Sequence, residues 1–202
     1  MLYQSLQLAT AAFPTLEYFY YLKNAQEVFI DATERFIKQS NRNRYHVLGA
    51  NGISTLTIPV KHQDIFNTTT NKIEIDYHQP WQRQHWQTIR SAYNKSPFFE
   101  FMMDDFEKLF FSQPAFLLEY NQQFLEFVIK KNKFTTTWTD MKQGPETPDL
   151  SIISNAKSNK LVTDIELEKY LQVFGYKMDF VGNLSVLDYL FNCGNTLANY
   201  LT

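Results

Sequence analysis

The sequence predicts an α/β or α+β fold, with a small mixed sheet drawn from the first 80 or so residues and helices from Trp81 onward packed against it. Short β-branched and aromatic runs crowd the first third: Val28-Phe29-Ile30, Leu56-Thr57-Ile58-Pro59-Val60 and Ile73-Glu74-Ile75-Asp76. Apolar residues then recur at helical spacing from Trp81 to Val128. A chain of 202 residues, 44% hydrophobic and 20% charged, is large enough to bury one core, so a single domain over 1–202 is expected.

In chain order, Leu6 to Thr10 reads as a first strand, and Phe13-Pro14-Thr15 breaks it and opens a helix through Leu16, Phe19, Tyr20 and Lys23. Arg42 to Leu48 reads as extended, with a turn at Gly49-Ala50-Asn51-Gly52, because Asn and Gly tolerate positive φ. Pro59 lacks an amide donor and belongs at a strand edge or end. Pro80 suits a first helical position; from there Trp81, His85, Ile89 and Ala92 share one face, with Trp86, Arg90 and Tyr93 beside it. A second helix is expected over Phe98 to Phe111. A third begins after Pro114, with Leu117, Tyr120, Phe124 and Val128 on one side. Residues 141–160, rich in Gly, Pro, Ser and Asn, read as a mobile loop, either a plain connection or a lid. Helices are expected again over Asp164 to Phe174 and Leu184 to Cys193, with Asn183 as N-cap and Gly194 as the stop.

Nineteen basic and twenty-one acidic side chains leave a net charge of −2, which argues against nucleic acid or an anionic membrane as partner. The single cysteine, Cys193, excludes an internal disulfide and a cysteine metal cluster, and it sits at the wrong end of its helix for an activated thiol. The start lacks a basic n-region, and no run reaches the roughly 18 apolar residues of a spanning helix. A cytoplasmic protein without membrane insertion is therefore expected. Neither a glycine-rich phosphate loop nor a Gly-x-Ser-x-Gly elbow occurs. His78 and His85 do not share a helical face, so neither a metal nor another cofactor is expected.

Several motifs fall in a recognisable order. Lys38-Gln39-Ser40-Asn41-Arg42-Asn43-Arg44 precedes the Gly49–Gly52 turn and Leu56–Val60. Trp81-Gln82-Arg83-Gln84-His85-Trp86, Ser91-Ala92-Tyr93 and Ser96-Pro97-Phe98-Phe99 follow. Tyr170-Leu171-Gln172-Val173-Phe174 and Leu184 to Gly194 close the chain. This pattern resembles the WbqC-like family in its Bacteroidetes form, over nearly the whole chain. The resemblance implies work on a sugar or nucleotide-sugar in surface-polysaccharide (O-antigen-type) biosynthesis, by acyl or aminoacyl transfer; it brings motif positions rather than catalytic roles. Many members open with His-Gln-Pro-Asn-Tyr-x-Pro-Trp after the first strand. Here Phe13-Pro14 survives, and the histidine, glutamine, first proline and tryptophan do not. If that imidazole does the chemistry, this branch has lost or altered the reaction.

Candidate site residues follow from side-chain chemistry. An extended 42–46 segment sets Arg42, Arg44 and His46 on one side and Asn43 and Tyr45 on the other. Two arginine forks suit a diphosphate, with Lys38 adding charge; alternatively an arginine pairs with Asp31 or Glu34. His85 is either an acid–base group or a core histidine. Trp81 and Trp86 either stack on a sugar or fill the core. Asp188 lies beside an apolar face, one turn before Asn192, and needs a partner, which an arginine of the 42–44 segment would supply. The leading expectation makes His85 and Asp188 the acid or base, and Lys38, Arg42, Asn43, Arg44, Trp81, Trp86 and Asn192 the substrate contacts. The competing class is a non-catalytic binding or assembly protein of the same pathway.

Overall fold

The computed structural model describes residues 3–61, 68–141, 150–152 and 165–201. Six strands and six α-helices follow one another among them: β1 (Tyr3–Leu8), α1 (Leu16–Asn24), β2 (Ala25–Asp31), β3 (Arg44–Gly49), β4 (Gly52–Thr57), α2 (Trp81–Tyr93), α3 (Phe99–Phe110), α4 (Leu117–Lys131), β5 (Thr137–Met141), β6 (Leu150–Ile152), α5 (Val186–Cys193) and α6 (Leu197–Tyr200). None of the helices is long and apolar enough to cross a membrane.

The α/β class holds, but the sheet is not confined to the first third. Four strands in the order β5-β2-β1-β6 form one all-parallel sheet, and β3 and β4 form a separate hairpin. Parallel neighbours require a crossover, and α1 provides it between β1 and β2 by burying Leu16, Phe19 and Leu22. The alternation of Leu6 and Leu8 with Gln7, and of Val28 and Ile30 with Phe29, sends one side chain in two into the core. Within the expected 141–160 loop, Leu150–Ile152 forms the strand beside β1; 142–149 and 153–160 lie outside the described residues. A three-residue strand carries too weak a periodic signal to stand out in a Ser/Asn/Pro-rich stretch.

The hairpin turns at Ala50-Asn51, and Gly52 takes the positive φ of 108°. Ile73 to Asp76 forms only single bridges, from Ile75 to Val60 and from Glu74 to Phe116. Helices α2, α3 and α4 bury the periodic faces expected of them. Their rings converge on Phe13, which lies 4.4 Å from Tyr45 and 4.5 Å from Phe124, with Phe106, Phe110 and Tyr120 within about 6 Å. Phe13 holds φ at 43°, a left-handed conformation unfavourable for a bulky residue. The surrounding rings offset that cost.

Two expectations at the C-terminal end are corrected. Residues 165–174 carry no helix. Tyr170 and Gln172 both reach the same Asp188 oxygen, and only an extended chain puts residues i and i+2 on one side. The cap of α5 is Ser185, whose Oγ accepts from Leu187 N at 3.3 Å. Asn183 instead caps α1 from across the fold: its Oδ1 accepts from Glu17 N at 3.1 Å, and its Nδ2 donates to Glu17 Oε2 at 3.0 Å. Gly194 does end α5, at φ 75°; a Cβ there would meet the Phe98 ring at 2.9 Å.

Candidate functional site

The carboxyl ends of β1 and β2 feed a polar knot. Asp31, the last residue of β2, accepts from Thr33 N and Glu34 N at 2.8 and 3.0 Å, an Asx-type turn that reverses the chain; its other oxygen takes Gln7 Nε2 at 3.0 Å. Glu34 thereby meets Arg42, with Arg42 Nε 2.7 Å from Oε1 and Nη2 2.5 Å from Oε2, and Arg42 Nη1 also donates to Ser40 Oγ at 3.3 Å. Arg42 is wholly buried. Burial raises the pKa of Glu34 above the usual value, while the Arg42 guanidinium pulls it the other way. The expectation that Arg42 offers its fork to a ligand gives way, because Glu34 occupies that fork in a bidentate grip.

The Arg42 carbonyl accepts from Asn121 Nδ2 at 2.9 Å, and the same nitrogen reaches Thr10 Oγ1 at 3.1 Å, tying α4 to the loop after β1. Asn43 Nδ2 donates to Ile58 O at 2.9 Å. Each amide nitrogen faces a carbonyl, which assigns the remaining atoms as oxygens. Asn43 Oδ1, Asn121 Oδ1, Arg44 Nε and Gln122 Nε2 are buried without a hydrogen-bond partner among the described residues. Such atoms cost about 1–3 kcal/mol each unless something satisfies them. Arg44 is half-buried and, with burial, lowers the pKa of His46. Lys38 is half-buried on the approach to Arg42.

On α2, His85 is 7% exposed, and its Nδ1 lies 2.9 Å from the buried Tyr45 hydroxyl. Burial pushes its pKa down to about 4, so it stays neutral at pH 7. Trp81 packs edge-on to it at 5.1 Å, and Trp81 Nε1 is buried without a partner. Trp86 lies in the aromatic core, against Phe106 and Phe110 at 5.7 and 5.4 Å.

Asp188 is 1% exposed and takes Tyr170 Oη at 2.7 Å and Gln172 Nε2 at 2.8 Å, not an arginine. Burial raises its pKa, while hydrogen bonds from Tyr170, Gln172 and Tyr93 favour its charged form. Gln172 also clasps Val181 through both its amide atoms, closing the turns over 173–178, so this carboxylate anchors the 170–181 segment onto α5. Asn192 Nδ2 donates back to Asp188 O at 2.7 Å within the same helix. Ser185 N donates to His46 O at 3.0 Å, bringing the start of α5 beside β3. Among the described cavities, of about 560, 320 and 460 Å³, none is lined by Arg44, His85 or Asp188.

Sequence reading missed Thr10, Tyr45, Asn121, Tyr170 and Gln172 as members of these networks. Tyr170 and Gln172 had a signal in their i, i+2 spacing. Asn121 had one as an amide inside the apolar stripe of α4.

The WbqC-like protein family model matches residues 10–172. The chain belongs to the WbqC-like protein family. In this WbqC-like protein the matched stretch takes in Asp31, Glu34 and Arg42 of the polar knot, Trp81, His85 and the Tyr170–Gln172 pair, and leaves Gln7 before its start and Asp188 and Asn192 beyond its end. No curated protein and no solved structure matches the chain.

Proposed function

We propose that this WbqC-like protein is a transferase that modifies a sugar or nucleotide-sugar, by acyl or aminoacyl transfer, in the cytoplasmic phase of surface-polysaccharide biosynthesis. The observation that carries the reading is the set of unsatisfied polar atoms behind the carboxyl ends of the parallel strands: Asn43 Oδ1, Asn121 Oδ1 and Arg44 Nε. In open parallel sheets ligands bind outside those ends, at the point where strand order reverses; here that point lies between β1 and β6. In this reading Arg44, with Lys38, takes the anionic group, and Asn43 faces ligand hydroxyls. Arg42 shapes the site through its Glu34 clasp. Trp81 and His85 contribute from α2, and Trp86, Asp188 and Asn192 hold the frame. Isothermal titration against a nucleotide-sugar panel tests it. At least one member should give saturable heat that Arg44→Ala weakens about tenfold, the scale of one charge-assisted bond. No heat from any member, with folded protein, removes the reading.

A second reading, a non-catalytic binding or assembly protein, has its own support. His85 and Asp188 are buried, at 7% and 1% exposure, while Phe101, Leu171 and Tyr176 stand 85%, 91% and 84% exposed. Binding of a nucleotide-sugar with no mass change in cellular glycan on deletion of the gene would favour it.

A further inference from the structure

The Tyr45–His85 pair determines which edge of the imidazole carries its proton. Within the described structure the Tyr45 hydroxyl has His85 Nδ1 as its one hydrogen-bond partner, at 2.9 Å, and Tyr45 is 2% exposed. If Nδ1 carried the proton, the phenolic hydrogen would be buried with no acceptor, a cost of about 1–3 kcal/mol. With the phenol donating, Nδ1 is the acceptor and the neutral ring must hold its hydrogen on Nε2. No described group accepts from Nε2, and the His85 residue keeps 7% of its surface exposed. One helical turn earlier, the Trp81 indole N–H is 3% exposed at the residue level and also lacks an acceptor, with its ring 5.1 Å from the imidazole. Positions i and i+4 of α2 thus carry two N–H donors that no described residue uses. The hydroxyls of the two tyrosines packed against the Trp81 ring are spent elsewhere: Tyr120 Oη donates to Phe110 O at 2.7 Å, and Tyr77 Oη to Pro114 O at 2.9 Å.

We propose that Tyr45 is a positioning residue that locks His85 as the Nε2–H tautomer, and that this N–H, with the indole N–H of Trp81, forms a donor site for an acceptor oxygen of the ligand. The ligand class is the oxygen-rich one of the sugar reading, on which this inference rests. A carbonyl of an N-acyl group and a ring or hydroxyl oxygen share the needed chemistry. His85 then acts as a donor and not as a base, and the two aromatic rings wall the oxygen from water.

The test is nitrogen NMR on the full chain labelled at histidine, with UDP-N-acetylglucosamine, UDP-glucose and free N-acetylglucosamine as probes. In the free protein Nδ1 of His85 should resonate as an unprotonated nitrogen and Nε2 as a protonated one; Tyr45→Phe should shift the ring toward a mixture of tautomers. A proton found on Nδ1 overturns the lock. A binding probe should move the Nε2–H signal, and Trp81→Phe, checked for folding by circular dichroism, should weaken that probe about fivefold to tenfold. UDP-N-acetylglucosamine moving the signal while UDP-glucose does not assigns the oxygen to the N-acyl carbonyl; equal effects assign it to the sugar oxygens. Binding heat with an unmoved Nε2–H removes the donor site and leaves the transferase reading standing. No binding heat removes both.

Discussion

Glu34 holds Arg42 by both carboxylate oxygens, with side-chain exposures of 8% and 0%. The pair sits just past the end of β2 and fixes the segment that leads into β3. Removing one partner of a buried pair leaves an uncompensated charge, at a cost of about 3–5 kcal/mol. Glu34→Ala should lower the urea unfolding free energy by that order, and Glu34→Leu with Arg42→Met should recover most of it. A single variant within about 0.5 kcal/mol of the parent would show that the pair is not closed in solution.

His85 imposes a pH dependence of known sign. Its folded pKa, about 4, lies below the ordinary 6.5 because burial disfavours the imidazolium. Between those values the unfolded chain binds a proton that the folded chain refuses, so this contribution is complete above pH 6.5 and is lost as pH falls toward 4. The loss approaches about 3 kcal/mol. Subtracting the curve of His85→Gln from that of the parent isolates it from His46, which shifts the same way. A flat difference curve over that window would refute the burial.

Asp188 has the opposite sign. Burial raises its folded pKa, so the folded state holds a proton through a range in which the unfolded carboxylate has already lost it. Its contribution therefore declines as pH rises from the ordinary carboxylate value through the raised one. The groups facing it, Tyr170, Gln172 and Tyr93, are uncharged near neutrality and add no competing titration there. Relative to Asp188→Asn, the parent should be most favoured at acid pH. A parent advantage that grows with pH would contradict the assignment.

Phe13 joins the loop after β1 to α3, α4 and the hairpin through five ring contacts. Phe13→Ala should cost about 3–5 kcal/mol, the range for emptying a large aromatic site. Phe13→Leu should cost clearly less while keeping the positive-φ strain. Equal losses in thermal or urea unfolding would mean that the backbone, not the rings, dominates.

Much of this architecture was legible locally. The stripes of α2, α3 and α4 and the β-branched and aromatic run inside β2 depend on local pattern, which neighbouring residues dictate. The family was legible too, through the ordered motifs from Lys38 to Gly194. Only the folded chain decided that β1 takes Leu150–Ile152 as a neighbour, that 165–174 forms no helix, that Asn183 caps a helix 166 residues away, and that Asp188 answers to a phenol and an amide. It also decided that Arg42 is occupied while Arg44 Nε, Asn43 Oδ1 and Trp81 Nε1 are not. The physical reason is one of range. Pattern along the chain records which face of an element is apolar. Which charge is neutralised and which N–H is left wanting depend on partners from distant segments, brought within 3 Å or so only by packing.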